Sequence, residues 1–410
     1  MSWAVVQKLS DSVILAEDAR FEERPCVADD FAQIAPLINR IFDELFCEVK
    51  CIGQFSVEQL LDDEKSALVS LILACGEHSA SRPWTSNFST ECSKKILIEI
   101  SQNGKVLVSQ PMVLKILLNS ICPKMAPNLW KSRPALVQCF SWIIFQIKSP
   151  TIGTNFPRLF PAVLVILDDW ETENKILGCQ LMENLVENVT RAELQRNQYD
   201  HVIFDILQRL IYEREAKLVR VVVKCLSALV SKVDHRFNQP FEMGRYDEAL
   251  NVLLGQMELE QGLELRQAYA ESLPLYLEAG SICLALWSQK ILRIVAEYTT
   301  IEDESGGITQ KYALEALLIF LKKTWPRAST YASQSLTTVL RLLLAVTKAE
   351  PAIKVNQDVK CQILELIRQC LQLISSVAPE MCNELLDGVG KVQANEDFHS
   401  VVNSFTDLRL

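Results

Sequence analysis

The chain has 410 residues, with 41 Lys plus Arg against 51 Asp plus Glu and a formal net charge of -10. That balance disfavours nucleic acid as a general partner, because reading phosphates needs a clustered excess of cations. Hydrophobic residues at 49% and charged residues at 22% are the proportions of a core-forming chain, which excludes large-scale disorder. Only 13 glycines occur, too few for turn-rich β architectures or glycine-loop nucleotide folds, so the composition points to helices.

Residues 1 to 25 place Lys8, Asp11, Glu17 and Asp18 among apolar positions. This breaks the continuous apolar core of a secretory signal, and the segment is expected to be a partly ordered tail. Helices are predicted at 29–49, 56–77, 109–121, 133–147, 156–167, 171–188, 198–212, 214–232, 245–257, 261–278, 281–299, 308–323, 331–348, 353–375 and 395–406. The most apolar stretch, Ala67 to Cys75, already contains Ser70 and is far short of the roughly 20 residues of a membrane span. Ile96 to Val108 reads two ways. It is either a hairpin turning on Asn103-Gly104 or a helix ended there, followed by a new helix capped by Ser109 with Pro111 in its first turn. An isolated hairpin leaves unpaired edges, which favours the helix. Thr299 to Gly307, with Glu302, Asp303 and Glu304, is expected to be a solvated, mobile connector.

One apolar template recurs along the chain. Leu218, Val222, Cys225, Leu226 and Leu229 repeat the spacing of Ile363, Ile367, Cys370, Leu371 and Ile374. Leu250, Leu253, Leu254 and Met257, and again Leu314, Leu317, Leu318 and Leu321, follow its shorter form. Each such helix needs a partner face. Two helices with short turns take about 40 residues, the period of HEAT and armadillo repeats, so the expected fold is an all-α solenoid of such repeats. The expected organisation is a tail (1–25), divergent repeats (26–150) and C-terminal repeats (151–410) in one continuous array.

Thirteen cysteines without a CxxC pair read as reduced, buried small hydrophobes of a cytosolic or nuclear protein. Cys47, Cys51, Cys75 and His78 could be drawn as a zinc set, but they lie on helices whose apolar stripes already account for them. Asp62-Asp63-Glu64 and Asp168-Asp169 could serve acid/base chemistry, yet adjacent helical positions diverge and helix-terminal roles fit better. No P-loop, dinucleotide or nucleophile-elbow motif occurs, so no catalytic residue, metal or cofactor is assigned and no enzyme is expected. Lys217, Arg220 and Lys224 share one helix face opposite its apolar stripe. They read as a solvated face or as a site for an acidic protein partner.

From Phe156 the residues run Phe-Pro-Arg-Leu-Phe-Pro-Ala-Val-Leu-Val-Ile-Leu-Asp168-Asp169-Trp170, then Lys175 and Gly178. Leu194, Asn197 and Val202 follow, then Arg266, Tyr269, Ala270, Leu273 and Pro274, and finally Thr324-Trp325-Pro326-Arg327. Over residues 156 to about 345 this series resembles the Tel-interacting protein family, second subunit type, of the Triple T complex. The N-terminal third matches little beyond Pro83-Trp84. The resemblance implies a non-enzymatic HEAT-like subunit obligately bound to the two other Triple T subunits. That cochaperone works with the ninety-kilodalton heat-shock chaperone and its adaptor complex to mature phosphatidylinositol-kinase-related kinases. Trp325 and Arg327 are the expected partner-binding pair, since such residues anchor interfaces. Gly178 is expected to allow close helix packing, and Asp168 and Asp169 to cap helices. The other reading is an unrelated helical adaptor, such as a transport receptor or phosphatase scaffold.

Overall fold

The computed structural model describes residues 3–53, 55–101, 107–234, 243–301, 306–347 and 355–389, and among these every regular element is helical. The chain divides into two compact units, Met1–Glu193 and Leu194–Leu410. The first contains α1 (Trp3–Val13), α2 (Arg20–Glu23), α3 (Ala35–Ile52), α4 (Asp62–Glu77), α5 (Asn87–Glu99), α6 (Pro111–Ile121), α7 (Pro134–Gln146), α8 (Thr151–Leu167) and α9 (Thr172–Asn188). The short α10 (Arg191–Arg196) crosses the division. The second unit contains α11 (Tyr199–Leu210), α12 (Ala216–Val233), α13 (Arg245–Leu259), α14 (Leu263–Glu278), α15 (Ser288–Tyr298), α16 (Ile308–Lys323), α17 (Ala328–Thr347), α18 (Gln357–Val377) and α19 (Pro379–Val389).

The apolar templates make the core of the second unit. Leu218, Val222, Cys225, Leu226 and Leu229 of α12 are buried, as are Ile363, Ile367, Cys370, Leu371 and Ile374 of α18. One row of helices, α12, α14, α16 and α18, stacks neighbour on neighbour, while α11, α13, α15 and α17 form a second row. The first row recurs about every 47 residues, near the upper end of the roughly 40–47-residue HEAT and armadillo period. The fold is therefore all-α and of the helical-repeat solenoid class. Inside this core Tyr246 and Tyr276 stack with centroids 4.8 Å apart, and each hydroxyl donates to the other's backbone carbonyl at 3.0 Å. Two otherwise costly buried hydroxyls are satisfied by that exchange.

In the first unit α4 packs on α1, α5 and α7, α7 on α9, and α8 on α9. Within the segment expected as a partly ordered tail (1–25), the described residues 3–25 include a docked helix. Val6 and Val13 of α1 are buried, Leu15 N–H donates to Glu77 Oε2 at 3.0 Å, Asp18 N–H donates to the Ser132 carbonyl at 3.0 Å, and Arg133 pairs with Glu17. Of the charges that break a signal sequence here, Glu17 pairs with Arg133 and Asp18 with Arg20, just after the docked helix.

Other boundaries shift for local reasons. The helix expected from residue 56 starts at Asp62, because Leu60 and Leu61 are extended and the Glu64 carboxylate accepts from Leu61 N–H at 2.9 Å. Asp62, Asp63 and Glu64 thus favour the helix N-terminus electrostatically. The helix expected over 281–299 begins at Ser288 after a tight 3-10 segment, Ile282–Trp287, whose indole donates to Asp247 Oδ1 at 2.7 Å. No hairpin forms at the described part of 96–108. Helix α5 runs to Glu99, capped at its start by Ser86, whose Oγ accepts from Ser89 N–H at 3.0 Å. Helix α6 starts at Pro111 after Gln110, one residue later than the expected Ser109 cap. Asn103-Gly104 and the expected helix at 395–406 lie outside the described residues, as do Glu302, Asp303 and Glu304. Gly306 and Gly307 have φ of 69° and 93°, and the Gly306 carbonyl accepts from Asn356 N–H at 3.0 Å. A Cβ on Gly307 would meet Val355 Cγ1 at 2.7 Å, so glycine here serves both a left-handed backbone and a close approach.

Candidate interaction surfaces

The turn between α8 and α9 is built around a buried charge. Asp168 is exposed, whereas Asp169 is buried and accepts from Lys131 Nζ at 2.5 Å and from Asn174 Nδ2 at 2.7 Å. Burial raises the Asp169 pKa, but the bonds from Lys131, Asn174 and the Trp170 backbone outweigh it and leave the carboxyl below its ordinary value. Asp169 is therefore an ion-pair anchor to the segment before α7. Asp168 stands at the C-terminal cap of α8 as expected, whereas the expected capping role of Asp169 fails because its side chain points across to Lys131. The same ammonium lies 5.0 Å from the Trp170 ring centroid and 5.6 Å from that of Trp130. Trp170 itself is 70% exposed, so a fixed indole stands on the surface of the first unit.

Helix α8 supports this turn. Phe156, Leu159, Phe160, Val163, Ile166 and Leu167 are buried, whereas Pro157 and Pro161 lie on the exposed face, where carbonyls deprived of helical donors can meet water. Gly178 of α9 lies against Leu167, and a Cβ there would come 2.6 Å from Leu167 Cα and 2.7 Å from its N. The expected close packing is present.

In the second unit the recognised residues divide between core and surface. Arg266 donates through Nε to the Glu260 carbonyl at 2.6 Å and through Nη2 to Glu297 Oε1 at 2.9 Å, with its guanidinium carbon 5.6 Å from the Tyr298 centroid. Tyr269, Ala270, Leu273 and Pro274 are buried. This motif is structural. Trp325, Pro326 and Arg327 form one exposed turn between α16 and α17, with Trp325 68% exposed. Exposed apolar residues Leu275, Ile282 and Leu286 occupy α14 and the segment after it. Lys323 Nζ donates to the Glu278 carbonyl at 2.7 Å and ties the ends of α16 and α14 together.

Lys217 and Lys224 are exposed on α12, but Arg220 is half-buried and paired with Glu271 of α14. One member of the expected basic face is thus already used between two stacked helices. The residues drawn as a zinc set separate completely. Cys47 and Cys51 are exposed on α3, while Cys75 and His78 are buried, and no cluster able to hold a metal occurs among the described residues. Eight cysteines are buried as expected, but Cys361, like Cys47 and Cys51, is exposed. His78 stacks edge-on against Phe42 at 4.8 Å and contacts Ser89 Oγ through Nδ1 at 3.1 Å. Burial pushes its pKa down to about 4, so it packs as a neutral ring. No helix of the described residues is long and apolar enough to cross a membrane. Sequence reasoning passed over Lys131, whose partner is 38 positions away and shows no local pattern.

Residues 120–213 match the model of the Tti2 family. TELO2-interacting protein 2 of Homo sapiens is 28% identical over 340 residues, covering 80% of this chain and 66% of the human protein. The Rattus norvegicus protein of the same name is 26% identical over 326 residues, covering 76% and 63%. The chain thus spans slightly under two thirds of the length of these relatives. Among solved structures, a chain of a Kap95:Nup1 complex superposes with a TM-score of 0.57 at 13% identity, covering 86% of this chain and 41% of that one. Kap121p gives 0.55 at 11% identity, covering 92% and 36%. At such identities the likeness is one of fold.

Proposed function

The chain is related to the Tti2 family, and from that kinship we propose that it is a non-enzymatic scaffold subunit of the three-subunit Triple T cochaperone. In this reading it binds the two other subunits directly. The assembly then supports the maturation, stability and assembly of phosphatidylinositol-kinase-related kinases with the ninety-kilodalton heat-shock chaperone. Its place is the cytoplasm, and the nucleus as well. The observation that carries the reading is the family match over 120–213, which contains the Lys131–Asp169 anchor, the exposed Trp170 and the close Gly178 contact. Association is the natural output of stacked helical repeats, whose surfaces are long ridges rather than enclosed pockets.

The partner contact is assigned to the Trp325–Arg327 turn of the second unit. An indole 68% exposed beside a guanidinium presents the two residue types enriched at the buried centre of interfaces. Co-expression of the chain with the two other Triple T subunits, followed by size-exclusion chromatography, tests the assignment. The wild type should elute as a stoichiometric three-subunit complex, and Trp325→Ala with Arg327→Ala should elute alone with unchanged helical circular dichroism. A double variant that still assembles would remove this surface from the account.

A further inference from the structure

The first unit carries a cleft that the Triple T reading does not use. It lies between the turn after α2, the segment before α5 and the N-terminal ends of α7 and α9, and holds a volume of about 250 Å3. Phe21, Trp84, Trp130 and Leu177 give it apolar walls, with Pro25, Pro83 and Pro134 between them. These walls are fixed. Trp84 is 4% exposed and donates its indole N–H to the Glu77 carbonyl at 3.0 Å, and Trp130 is 4% exposed. The Cys26 thiol at the wall is pushed up by burial, so it is a neutral surface and no nucleophile. The volume is below the roughly 300–1,000 Å3 of small-molecule sites, a size for one or two side chains.

Three charged side chains border this space. Lys131 is neutralised by Asp169 at 2.5 Å. Among the described residues, the Glu171 carboxylate has only a long contact from Asn174 at 3.4 Å. Arg82 donates through Nε to Gln138 Oε1 at 2.7 Å, and Gln138 is held in turn by Ser79 Oγ at 3.1 Å. That chain orients the guanidinium, while its Nη1 and Nη2 atoms have no partner among the described residues. Arg82 and Glu171 do not pair with each other. An oriented guanidinium with two vacant donors matches a carboxylate in bidentate geometry.

We propose that this cleft binds a linear peptide whose apolar anchor, an aromatic side chain or leucine, enters between Trp84 and Trp130 while an adjacent carboxylate is received by Arg82. The partner is thus an acidic, apolar-anchored segment of another protein. Glu171 disfavours peptides with a second acidic residue on its side and limits the motif to one.

Selection of the full chain against a phage library of random decapeptides tests this, with Arg82→Glu as the counter-selected protein. Enriched sequences should place Trp, Phe or Leu beside Asp or Glu. A synthetic enriched peptide should bind with at least tenfold loss on Arg82→Glu, a smaller loss on Arg82→Lys, and a gain on Glu171→Gln. Trp325→Ala, in the other unit, should leave its affinity unchanged, so the outcome is independent of the Triple T contact. No enrichment over Arg82→Glu, or enrichment of peptides lacking the acidic and apolar pair, would overturn the proposal.

Discussion

Gly178 and Gly255 both lie inside helices, α9 and α13, and the same substitution is predicted to act oppositely on them. Replacing glycine by alanine inside a helix stabilises by about 1 kcal/mol through backbone entropy. At Gly255 nothing opposes that gain, because the nearest foreign atom to a new Cβ is the flexible end of Lys290, 3.8 Å away. At Gly178 the new carbon would stand 2.6 Å from Leu167 Cα and 2.8 Å from its Cβ, so α8 and α9 must separate by about 1 Å. Overpacking of this kind costs roughly 2–3 kcal/mol when the neighbour is backbone. The net expectation is a loss of about 1–2 kcal/mol for Gly178→Ala against a gain of about 1 kcal/mol for Gly255→Ala. Because two compact units need not unfold together, native-state hydrogen exchange by mass spectrometry is the suitable assay. Protection of the α8 and α9 peptides should fall about 5- to 30-fold in the first variant, and that of α13 should rise about fivefold in the second. Equal stabilisation at both positions would show that the α8–α9 approach does not require glycine.

Three further outcomes follow from the ionisable groups and the exposed turn. Lys131→Met should destabilise by about 3 kcal/mol, because it leaves the buried Asp169 carboxylate without its cation. Adding Asp169→Asn should recover at least half of that, as chemical denaturation followed by tryptophan fluorescence would record. The folded Asp169 pKa is depressed below 3.8, so this stability is present above about pH 4 and lost as pH falls further, and Lys131→Met should reduce that acid dependence. Glu77 behaves oppositely. Burial pushes its carboxyl up to about 8 from an ordinary 4.5, so the folded chain holds a proton that the unfolded chain releases, and stability declines as pH rises through that window. Glu77→Gln should therefore raise the Tm more at pH 8.5 than at pH 5. Trp325→Ala alone should move the Tm by no more than about 2 °C, since surface changes stay within roughly 0.5 kcal/mol, and a larger fall in a thermal melt would make that turn structural.

Helical periodicity was sufficient for the repeat architecture, because a helix that packs on two neighbours must keep an apolar stripe, and those of α12, α13, α16 and α18 are written plainly. It failed where packing comes from elsewhere. Helix α1 was missed because its charged surface face resembles a solvated tail, although Val6 and Val13 dock it. Helix α5 hides its start in a serine cap and carries only Ser89, Cys92, Ser93 and Ile96 as its buried residues. The exposed turn at Trp325 was legible because Trp-Pro-Arg between two helices cannot bury an indole within its own turn. Asp169 was misread as a cap, since sequence spacing shows adjacency to a helix end but not the lysine 38 positions earlier that claims the carboxylate. The cleft around Trp84 and Trp130 was equally invisible, as it assembles four segments with no common spacing.

The central claim is obligate association with the two other Triple T subunits, and affinity purification of the chain from cells at native expression with quantitative mass spectrometry tests it most directly. Near-equal amounts of those two subunits, with kinases and chaperone at lower levels, are the predicted result. Stoichiometric recovery of transport cargo or of a phosphatase, with the Triple T subunits absent, would contradict it and reduce the kinship to shared helical-repeat architecture.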